Sequence, residues 1–496
     1  MILINPQVQK LGKFARYVPM YVPIGLGSLA GYLISQNRKV GIIDENITPI
    51  NSGLIDEYSR DTVAPYIFGI SCLTAGISRA YELAKMLKEK YPDSKIILGG
   101  IHPTVLSEEA LKTGYVDIVV RREGEETLNL LYESIKRKED YSKIQGISFN
   151  DRHGNLIHNP DARLPAMDSL PPFPYHLFEK HLGKYNFGFI ATSRGCPYNC
   201  IFCSQRCISG RTYRYINPEK VIELLDLLIN KYKQKYILFV DDDFTVNKNR
   251  TKKLCTLMHK NKFYLKAKFD CQTRGDSINP EILEYLKMAG FRTINFGIET
   301  ASERLMKLIN KGETVEKNIQ AVKLVKKFGF QVSATFILGL PTETKEERWQ
   351  SYKLAKQLDL NYVRFNNATP YPGTELYEIA KRENRLNTGK NWENLNACGS
   401  LVESPFKSSR LSYVPRTTTE KELVNDVLKI NLFFSLRPKR VIRLLLEKEG
   451  PVGWFLLSDR WFINLKELFY LASLGINLLY LFIKILFVFN FKKQSD

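Results

Sequence analysis

The sequence predicts an α/β protein: a doubly wound parallel sheet of the Rossmann type, a partial (β/α)6 barrel of the TIM type, and a mainly helical C-terminal region. Residues 1–145 and 186–370 each alternate short apolar runs with helical patterns, which is typical of parallel sheets wrapped by helices. A proline-rich stretch separates them, and the alternation ends after about residue 400. A chain of 496 residues with 44% apolar residues is long enough for several cores.

These patterns divide the chain into a first domain (1–150), a linker (151–185), a barrel (186–400) and a helical region (401–496). The linker is expected to be extended over the surface, because prolines recur through it without a steady period. Strands of the first domain are predicted at Ile2–Ile4, Val40–Asp44, Tyr66–Ser71, Lys95–Leu98 and Asp117–Val120. Barrel strands are predicted at Phe187–Ser193, Tyr236–Val240, Ala267–Cys271, Thr293–Gly297, Gln331–Ile337 and Tyr362–Asn366.

Ligands of open parallel sheets bind beyond the C-terminal ends of the strands. In the first domain these positions carry the turn Gly99-Gly100-Ile101-His102 and the turn Glu123-Gly124-Glu125. Paired glycines let a backbone approach a large ligand closely. In the barrel, a run of cysteines directly follows the first strand, which is where TIM-type barrels place their chemistry.

The net charge of 72 − 52 = +20 favours anionic partners such as nucleic acid, acidic lipid headgroups or phosphate-bearing ligands, or is simply a solvated basic surface. No nucleic-acid motif accompanies it, so nucleic acid is not expected as a partner. The eight cysteines are not spaced as a secreted disulfide scaffold, and the N-terminus lacks signal-peptide features. A cytoplasmic protein with reduced thiols is expected.

The C-terminal segment 468–491 contains one charged residue, Lys484, and is preceded by a basic cluster of Arg437, Lys439, Arg440 and Arg443. Its 24 residues could lie in a membrane interface, span a bilayer, or form a buried helix of a soluble protein. The first two alternatives predict attachment to the inner face of a membrane, where basic residues meet acidic lipid.

The cysteine run is Cys196-Pro-Tyr-Asn-Cys200-Ile-Phe-Cys203. Three thiolates at these spacings can each bind one iron of a [4Fe-4S] cluster and leave the fourth iron open. An open iron suits the amino and carboxylate groups of S-adenosylmethionine (SAM), whose S–C5′ bond one electron would cleave. The alternative is a zinc site with Cys207 as fourth ligand, although Cys207 is better explained as a loop contact. Four further cysteines are expected to be small buried residues: Cys72, Cys255, Cys271 and Cys398.

The run and its surroundings over 186–375 strongly resemble the radical SAM superfamily. The resemblance implies that Asp242 or Asp243 lies near the SAM amino group and that Arg274 neutralises its carboxylate. It also implies that Glu299 accepts from the ribose hydroxyls and that the backbone around Gly339 meets the adenine. The family's glycine-rich motif after the second strand is replaced here by acidic residues, which leaves the amino-group contact open.

The opening Ile-Leu-Ile-Asn-Pro, the glycine turn at Gly99 and Gly100, and the turn at Glu123 together resemble the cobalamin-binding domain fused to class B radical SAM enzymes. The resemblance implies cobalamin beyond the strand ends. The Asp-x-His-x-x-Gly motif that supplies a cobalt ligand in methionine synthase-like domains is absent, and His102 is better explained as a hydrogen-bonding loop residue than as a cobalt ligand.

The resemblance implies a methyltransferase that modifies an unactivated carbon, with relatives that modify hopanoids, lipids or porphyrins. An apolar or membrane-resident small molecule is therefore the expected substrate, with a flavodoxin or ferredoxin as electron donor. The alternatives are a ring-forming or oxygen-inserting enzyme like the anaerobic chlorophyll-ring cyclase, a methylthiotransferase acting on tRNA, and a cobalamin sensor without catalysis. The methylthiotransferase would normally carry a second cysteine set near the N-terminus, where only Cys72 lies.

Overall fold

The computed structural model describes residues 1–7, 20–59, 64–395 and 411–438. Two large sheets dominate this part of the chain, one of seven strands in the N-terminal half and one of six strands after it. The predicted α/β class, a doubly wound sheet followed by a (β/α)6 barrel, is confirmed.

The N-terminal sheet is covered by helices on both faces. Its half of the chain contains β1 (Ile2–Asn5), β2 (Met20–Tyr21), β3 (Gly41–Asp44), β4 (Ile67–Ser71), β5 (Lys95–Gly99), β6 (Ile118–Val120), β7 (Ile147–Asn150) and β8 (Leu156–His158). The strand order is β3-β1-β4-β5-β6-β7-β8, parallel as far as β6 and antiparallel from β6 to β8. Ile2 and Ile4 pack in one core and Leu3 in another, so both faces are buried.

The helices of this half follow the strands as predicted. They are α1 (Ile24–Ser35), α2 (Ser52–Ser59), α3 (Ile77–Lys90), α4 (Ile101–Val105), α5 (Ser107–Lys112) and α6 (Glu125–Arg137). Two glycines of α1 allow the proline-rich segment to pack closely against this helix. A Cβ at Gly27 would lie 2.3 Å from the Phe173 ring, and one at Gly31 would lie 3.1 Å from Pro174. The first domain and the linker are therefore packed together.

The segment predicted as a linker is largely irregular, and several of its side chains are buried. Residues 151–158 complete the β7–β8 hairpin, and the remainder contains short 3-10 turns at Met167–Ser169 and Tyr175–His181. Met167, Tyr175 and Phe178 are at most 5% exposed. The prolines do prevent a regular helix, but the aromatic side chains between them bury apolar surface, and this burial outweighs solvation of the segment.

The barrel is an open sheet whose strands follow the chain order. This half contains β9 (Tyr185–Asn186), β10 (Phe189–Ile190), β11 (Ser193–Arg194), β12 (Arg214–Tyr215), β13 (Tyr236–Phe239), β14 (Lys268–Thr273), β15 (Phe291–Glu299), β16 (Gln331–Leu338) and β17 (Tyr362–Asn367). The barrel order is β10-β13-β14-β15-β16-β17, and every pairing is parallel. β2 pairs with β9, and β11 pairs antiparallel with β12.

Helices fill the gaps between the barrel strands. They are α7 (Gln205–Ser209), α8 (Pro218–Asp226), α9 (Lys248–Lys260), α10 (Pro280–Met288), α11 (Glu303–Leu308), α12 (Val315–Lys327), α13 (Lys345–Gln357), α14 (Glu375–Arg382) and α15 (Glu420–Ser435). Side chains of Asn279, Thr314 and Thr344 accept from backbone N–H groups and start three of them. Most of these helices begin shortly after a strand end, whereas α12 follows α11 and α15 begins well after the last strand. The loops that follow the parallel strands therefore gather at one edge of the barrel.

Helix α15 packs on the barrel through a buried ion pair, because Arg348 donates to Asp426 at 2.9 Å. Segment 468–491, Cys398 and three basic residues (Lys439, Arg440 and Arg443) lie outside the described residues. Within the described ranges, no helix has the length and apolar character needed to cross a membrane.

Candidate radical site and cobalamin cleft

The cysteine loop begins with a turn that requires glycine. Gly195 has φ of +88°, and a Cβ there would lie 2.2 Å from the Thr212 carbonyl oxygen. Within the loop, Ile201 is 3% exposed and donates its N–H to the Ile309 carbonyl at 3.1 Å, while its own carbonyl accepts from Leu376 at 2.9 Å. The loop is thus held against the ends of two later βα units at the mouth of the barrel.

The three cysteine side chains of this loop are partly buried. Burial raises the pKa of Cys196 and Cys200, and it raises the pKa of Cys203 to about 12. Bound cations would reverse this, since a coordinating thiol is deprotonated. In the part of the chain that the structure describes, no three His, Cys, Asp or Glu side chains are grouped around a single metal-ion position. A [4Fe-4S] cluster does not require three ligands around a single position, because each cysteine binds a different iron.

Cys207 is a loop contact, as expected. Its Sγ lies 3.4 Å from the Gly373 carbonyl oxygen, in the turn after β17. A Cβ at Gly373 would approach this sulfur to 2.9 Å. Cys207 therefore packs the cysteine loop against the last barrel turn.

The three aspartates after β13 have different surroundings. Asp241 accepts from Thr192 N–H at 2.6 Å and from the Thr192 hydroxyl at 2.7 Å, and it is paired with buried Arg250. Asp243 accepts from three side-chain or backbone groups on the neighbouring segments: Thr245, Thr273 and Ser277. Asp242 instead accepts from the Gly195 N–H and has a buried Oδ2 without a partner. Asp242 thus has a carboxylate oxygen free for a ligand, and Asp243 does not.

Burial, followed by the neighbouring Asp241, raises the pKa of Asp242 to about 6. A buried carboxylate that lacks a cationic partner is the complement that an ammonium group requires. The resemblance assigned the SAM amino group to Asp242 or Asp243, and the hydrogen bonds of Asp243 make Asp242 the better candidate.

Arg274 is bound to its own neighbour. Its Nε and Nη2 donate to both oxygens of Asp276, at 3.0 and 2.9 Å. Its guanidinium carbon lies 3.4 Å from the centre of the Tyr198 ring, within the cysteine loop. Two donors expected for the SAM carboxylate are therefore already engaged, and the arginine supports the loop by a cation–π contact.

Glu299 ends β15 with φ of +65° and is 7% exposed. Lys311 donates to it at 3.2 Å and lies 3.5 Å from Glu313. Burial opposes the charge of Lys311, but Glu299 and Glu313 outweigh it and raise the pKa of this amine. Lys311 and Glu313 were not predicted, because nothing in the Lys-Gly-Glu sequence distinguishes them from surface charges.

Gly339, which stays a predicted contact for the adenine, lies in a turn that other side chains of the protein already contact. Its N–H donates to the Glu343 carboxylate, and a Cβ at this position would lie 2.7 Å from the Leu423 side chain of α15. A nucleobase would find neither a free N–H nor an open face at this glycine. The physical reason is that α15, which lies 84 residues further along the chain, covers the turn.

Glu343 should make the stability of the protein depend on pH. Burial raises its pKa from 4.5 to about 8, so the folded chain binds this proton more tightly than the unfolded chain. Stability should therefore fall as the pH rises from about 5 to 9. Glu343→Gln has no such charge, and we expect it to be more stable than the parent by roughly 2–5 kcal/mol at pH 9, with little difference at pH 4.5.

Thermal melting of both proteins over this pH range measures the effect. The exposed neighbour Glu346, replaced by glutamine, is the matched control and should show no gain at pH 9. Equal melting of the Glu343→Gln protein and the parent at pH 9 would contradict the assignment.

The N-terminal sheet has a cleft of about 40 Å³ at the C-terminal ends of β4, β5 and β6. Gly99 and Gly100 line it as predicted, together with Leu26, Leu29 and Val120. Gly100 has φ of +98°, and a Cβ there would lie 2.4 Å from the Cys72 carbonyl oxygen. At Gly99 and Gly100, the rim of the apolar cleft is therefore formed by backbone atoms alone.

His102 is not directed into this cleft. It is 0% exposed, its Nε2 lies 3.3 Å from Glu109, and its ring meets Trp392 edge to face at 4.8 Å. His102 therefore does not line the cleft, and its contact with Glu109 agrees with its interpretation as a hydrogen-bonding loop residue. The reason is that the apolar surface of Trp392, far along the chain, buries the imidazole.

Glu123 does not face the cleft either. Its carboxylate accepts from Arg194 at 3.0 Å and from Arg214 at 2.9 Å, both of which belong to the second half of the chain. Burial opposes its charge, but Arg214 and Arg194 outweigh this and hold the pKa of Glu123 below its usual value. Glu123 therefore joins the two halves of the chain and does not line the cleft.

Comparisons with known proteins agree with this geometry. Residues 190–355 match the model of the radical SAM superfamily, and residues 14–131 match the B12 binding domain. An uncharacterized methyltransferase of Pyrococcus horikoshii is 33% identical over 442 residues, covering 86% of this chain and 91% of that protein. The anaerobic magnesium-protoporphyrin IX monomethyl ester cyclase of Rubrivivax gelatinosus is 26% identical over 396 residues, covering 76% and 69%.

Among solved structures, the radical S-adenosylmethionine methyltransferase TsrM from Kitasatospora setae, with cobalamin and a [4Fe-4S] cluster bound, shares the fold with a TM-score of 0.69. The identity is 17%, and the match covers 88% of this chain and 91% of that one. The open barrel with its cysteine loop therefore defines a radical SAM enzyme. With its N-terminal domain, the chain belongs to the cobalamin-dependent radical SAM family, whose cofactors are a [4Fe-4S] cluster, SAM and cobalamin.

The residues present fit these cofactors. The cleft beside Gly100 lies at the strand ends, which is where a corrinoid would bind. The orphaned Oδ2 of Asp242 lies on the turn beside Gly195 and Cys196. Cys196, Cys200 and Cys203 would hold the cluster, and Asp242 and Glu299 would hold SAM.

Proposed function

We propose that this enzyme transfers a methyl group to an unactivated carbon of an apolar small molecule. The observation that carries the proposal is the joining of two sites: an apolar cleft at the strand ends of the first domain and a cysteine loop at the barrel mouth, held together by buried ion pairs. This juxtaposition suits a reaction that needs both cofactors close to one substrate.

The side chains around the barrel mouth have distinct roles in this proposal. When bound, the cluster, SAM and cobalamin supply one-electron cleavage of a carbon–sulfur bond and a methyl group. Asp242 accepts from the SAM ammonium, and Glu299, oriented by Lys311, accepts from a ribose hydroxyl. Arg274 stacks on Tyr198 and holds the cysteine loop in place.

A cavity of about 430 Å³ supports the proposal that the substrate is apolar. It lies between α1, the proline-rich segment and β10, and its volume is in the range of small-molecule pockets. Arg194 and Ser28 line it too, so one part of its wall is two residues from Cys196. Its apolar walls include Met167, Leu170, Phe173, Phe189, Ile216 and Leu227.

Product analysis distinguishes methyl transfer from ring formation, which the likeness to the cyclase favours as the second candidate. The reconstituted enzyme, reduced anaerobically with titanium citrate, should convert SAM to both 5′-deoxyadenosine and S-adenosylhomocysteine. A ring-forming enzyme would release 5′-deoxyadenosine without S-adenosylhomocysteine, and this result would replace our proposal by the second candidate. Protein lacking cobalamin is the control and should form no S-adenosylhomocysteine.

The proposal includes a reducing protein, such as a flavodoxin or ferredoxin, and a membrane surface that presents the substrate. The apolar segment 468–491 and its basic neighbours support the latter. Cell fractionation tests it: the full chain should sediment with membranes, and a chain lacking 462–496 should not. Equal sedimentation of the two chains would contradict attachment through this segment.

A further inference from the structure

Two arginines face each other directly across the strands that flank the cysteine loop. Arg194 in β11 is the cross-strand partner of Arg214 in β12, and the 19 residues between them include all three cluster cysteines. Like charges placed directly opposite one another destabilise a strand pair. The side chains of Arg194 and Arg214 are only 16% and 13% exposed, so water screens their repulsion weakly.

Glu123 of the first domain lies between these arginines. Arg194 Nη1 and Arg214 Nη1 donate to the same oxygen of Glu123, and Arg214 Nη2 donates to the other oxygen. The Glu123 side chain is 3% exposed. This carboxylate therefore compensates both arginines of the flanking strand pair, and it belongs to the other half of the chain.

Two further groups of the first domain, the Glu125 carboxylate and the Ser28 hydroxyl, bind the guanidinium of Arg194. Arg194 Nη1 donates to Glu125 at 2.8 Å, and its Nη2 donates to the Ser28 hydroxyl at 2.9 Å. Ser28 in turn donates to Glu125 at 2.8 Å. We call Glu123, Glu125, Ser28, Arg194 and Arg214 the junction.

The junction touches both cofactor sites at once. On one side, Arg122 and Gly124, the neighbours of Glu123, line the cleft of the first domain. On the other side, a single residue, Gly195, separates Arg194 from Cys196. A second and weaker path exists, since Arg122 Nε donates to the Ile208 carbonyl at 3.3 Å.

We propose that the junction couples the cleft to the cysteine loop, so that cobalamin binding stabilises the loop that holds the cluster. A ligand that orders the 122–125 turn fixes Glu123, and Glu123 fixes both strands at the base of the loop. The members are positioning residues, which touch neither cofactor. The proposal rests on the proposed function, because it requires cobalamin in the cleft and a cluster on Cys196, Cys200 and Cys203.

Thermodynamic linkage provides the test, since coupling between two sites is reciprocal. The dissociation constant of hydroxocobalamin is measured by equilibrium dialysis on the full chain, once iron-free and once with the cluster reconstituted. We expect the cluster to tighten binding about 10-fold in the parent, within the usual range of coupling between sites. In Glu123→Gln the ratio should fall to about 3 or less, with the remainder carried by Arg122.

Hydrogen exchange on iron-free protein tests the same coupling without a cluster. Addition of hydroxocobalamin should slow exchange in 195–203 of the parent and leave it nearly unchanged in Glu123→Gln. Glu133→Gln is the matched control: it removes a carboxylate that also pairs with an arginine, Arg38, but within the first domain. Its linkage ratio and its loop protection should equal those of the parent.

A ratio near 1 in the parent, or an unchanged ratio in Glu123→Gln, would overturn the proposal. If Glu123→Gln does not fold, Glu125→Gln decides in its place, because it keeps an oxygen for Ser28 and removes one charge from Arg194. The expected ratio for that variant lies between the other two, and a ratio equal to the parent's overturns the coupling. Failure of the parent to bind any corrinoid would instead contradict the proposed function itself.

Discussion

Replacement of Cys200 by alanine should abolish the cluster and with it SAM cleavage. Two thiolates cannot hold a cubane that needs three protein ligands and one open iron. Reconstituted parent protein should contain about four irons per chain, and Cys200→Ala should contain fewer than about one. Formation of 5′-deoxyadenosine should fall at least about 100-fold, because the electron that cleaves SAM comes through the cluster. Iron analysis and chromatography of the nucleoside products measure both.

Cys207→Ala is the matched control from the same loop. Because its sulfur contacts Gly373, we expect its iron content and its 5′-deoxyadenosine rate to stay within about two-fold of the parent. Loss of iron in Cys207→Ala, with normal iron in Cys200→Ala, would contradict the assignment and indicate a different ligand set. The control also distinguishes loss of a ligand from general disturbance of the loop.

The parts of the fold that could be predicted are those specified by neighbouring residues. Strands buried on both faces form continuous apolar runs, as in β4 and β5, and their ends could be located to within about two residues. The cysteine loop could be predicted because its ligands lie within eight residues of each other. In both cases the chemistry is contained in a short stretch of chain.

The side-chain directions that could not be predicted share a physical cause, which is a partner distant in sequence. Glu123 lies at a strand end as expected, but Arg194 and Arg214 bind it from 71 and 91 residues away. Trp392 buries His102 from still further along the chain. A turn can be located from its own residues, whereas the direction of its side chains depends on what packs against it.

The consecutive residues Asp241 and Asp242 should respond in opposite ways to the same substitution. Asp241→Asn removes the charge that compensates Arg250, whose side chain is 1% exposed, and leaves that guanidinium buried without its counter-ion. We expect a loss of about 3–5 kcal/mol in the free energy of unfolding, or roughly 3–5 °C in melting temperature for a chain of this length. Thermal melting of the iron-free protein measures it.

Asp242→Asn should instead leave stability unchanged or raise it slightly. Burial already raises the pKa of Asp242 to about 6, and its Oδ2 has no partner in the protein, so the amide removes a charge that nothing compensates. SAM binding should weaken by roughly 10- to 100-fold, as expected for the loss of a charge-assisted hydrogen bond to the ammonium. The SAM dissociation constant of the cluster-loaded protein measures this.

The Asp241→Asn and Asp242→Asn variants are controls for each other. The two residues are adjacent and the chemical change is the same, so only the surroundings of the side chain differ. If Asp242→Asn melts as low as Asp241→Asn, its carboxylate is structural and the ammonium contact fails. If Asp242→Asn is stable and binds SAM with unchanged affinity, the free oxygen serves another ligand. Only a stable protein with weakened SAM binding agrees with the orphaned oxygen beside the cysteine loop. This result would show that one carboxylate, Asp241, stabilises the barrel mouth and that the other, Asp242, binds SAM there.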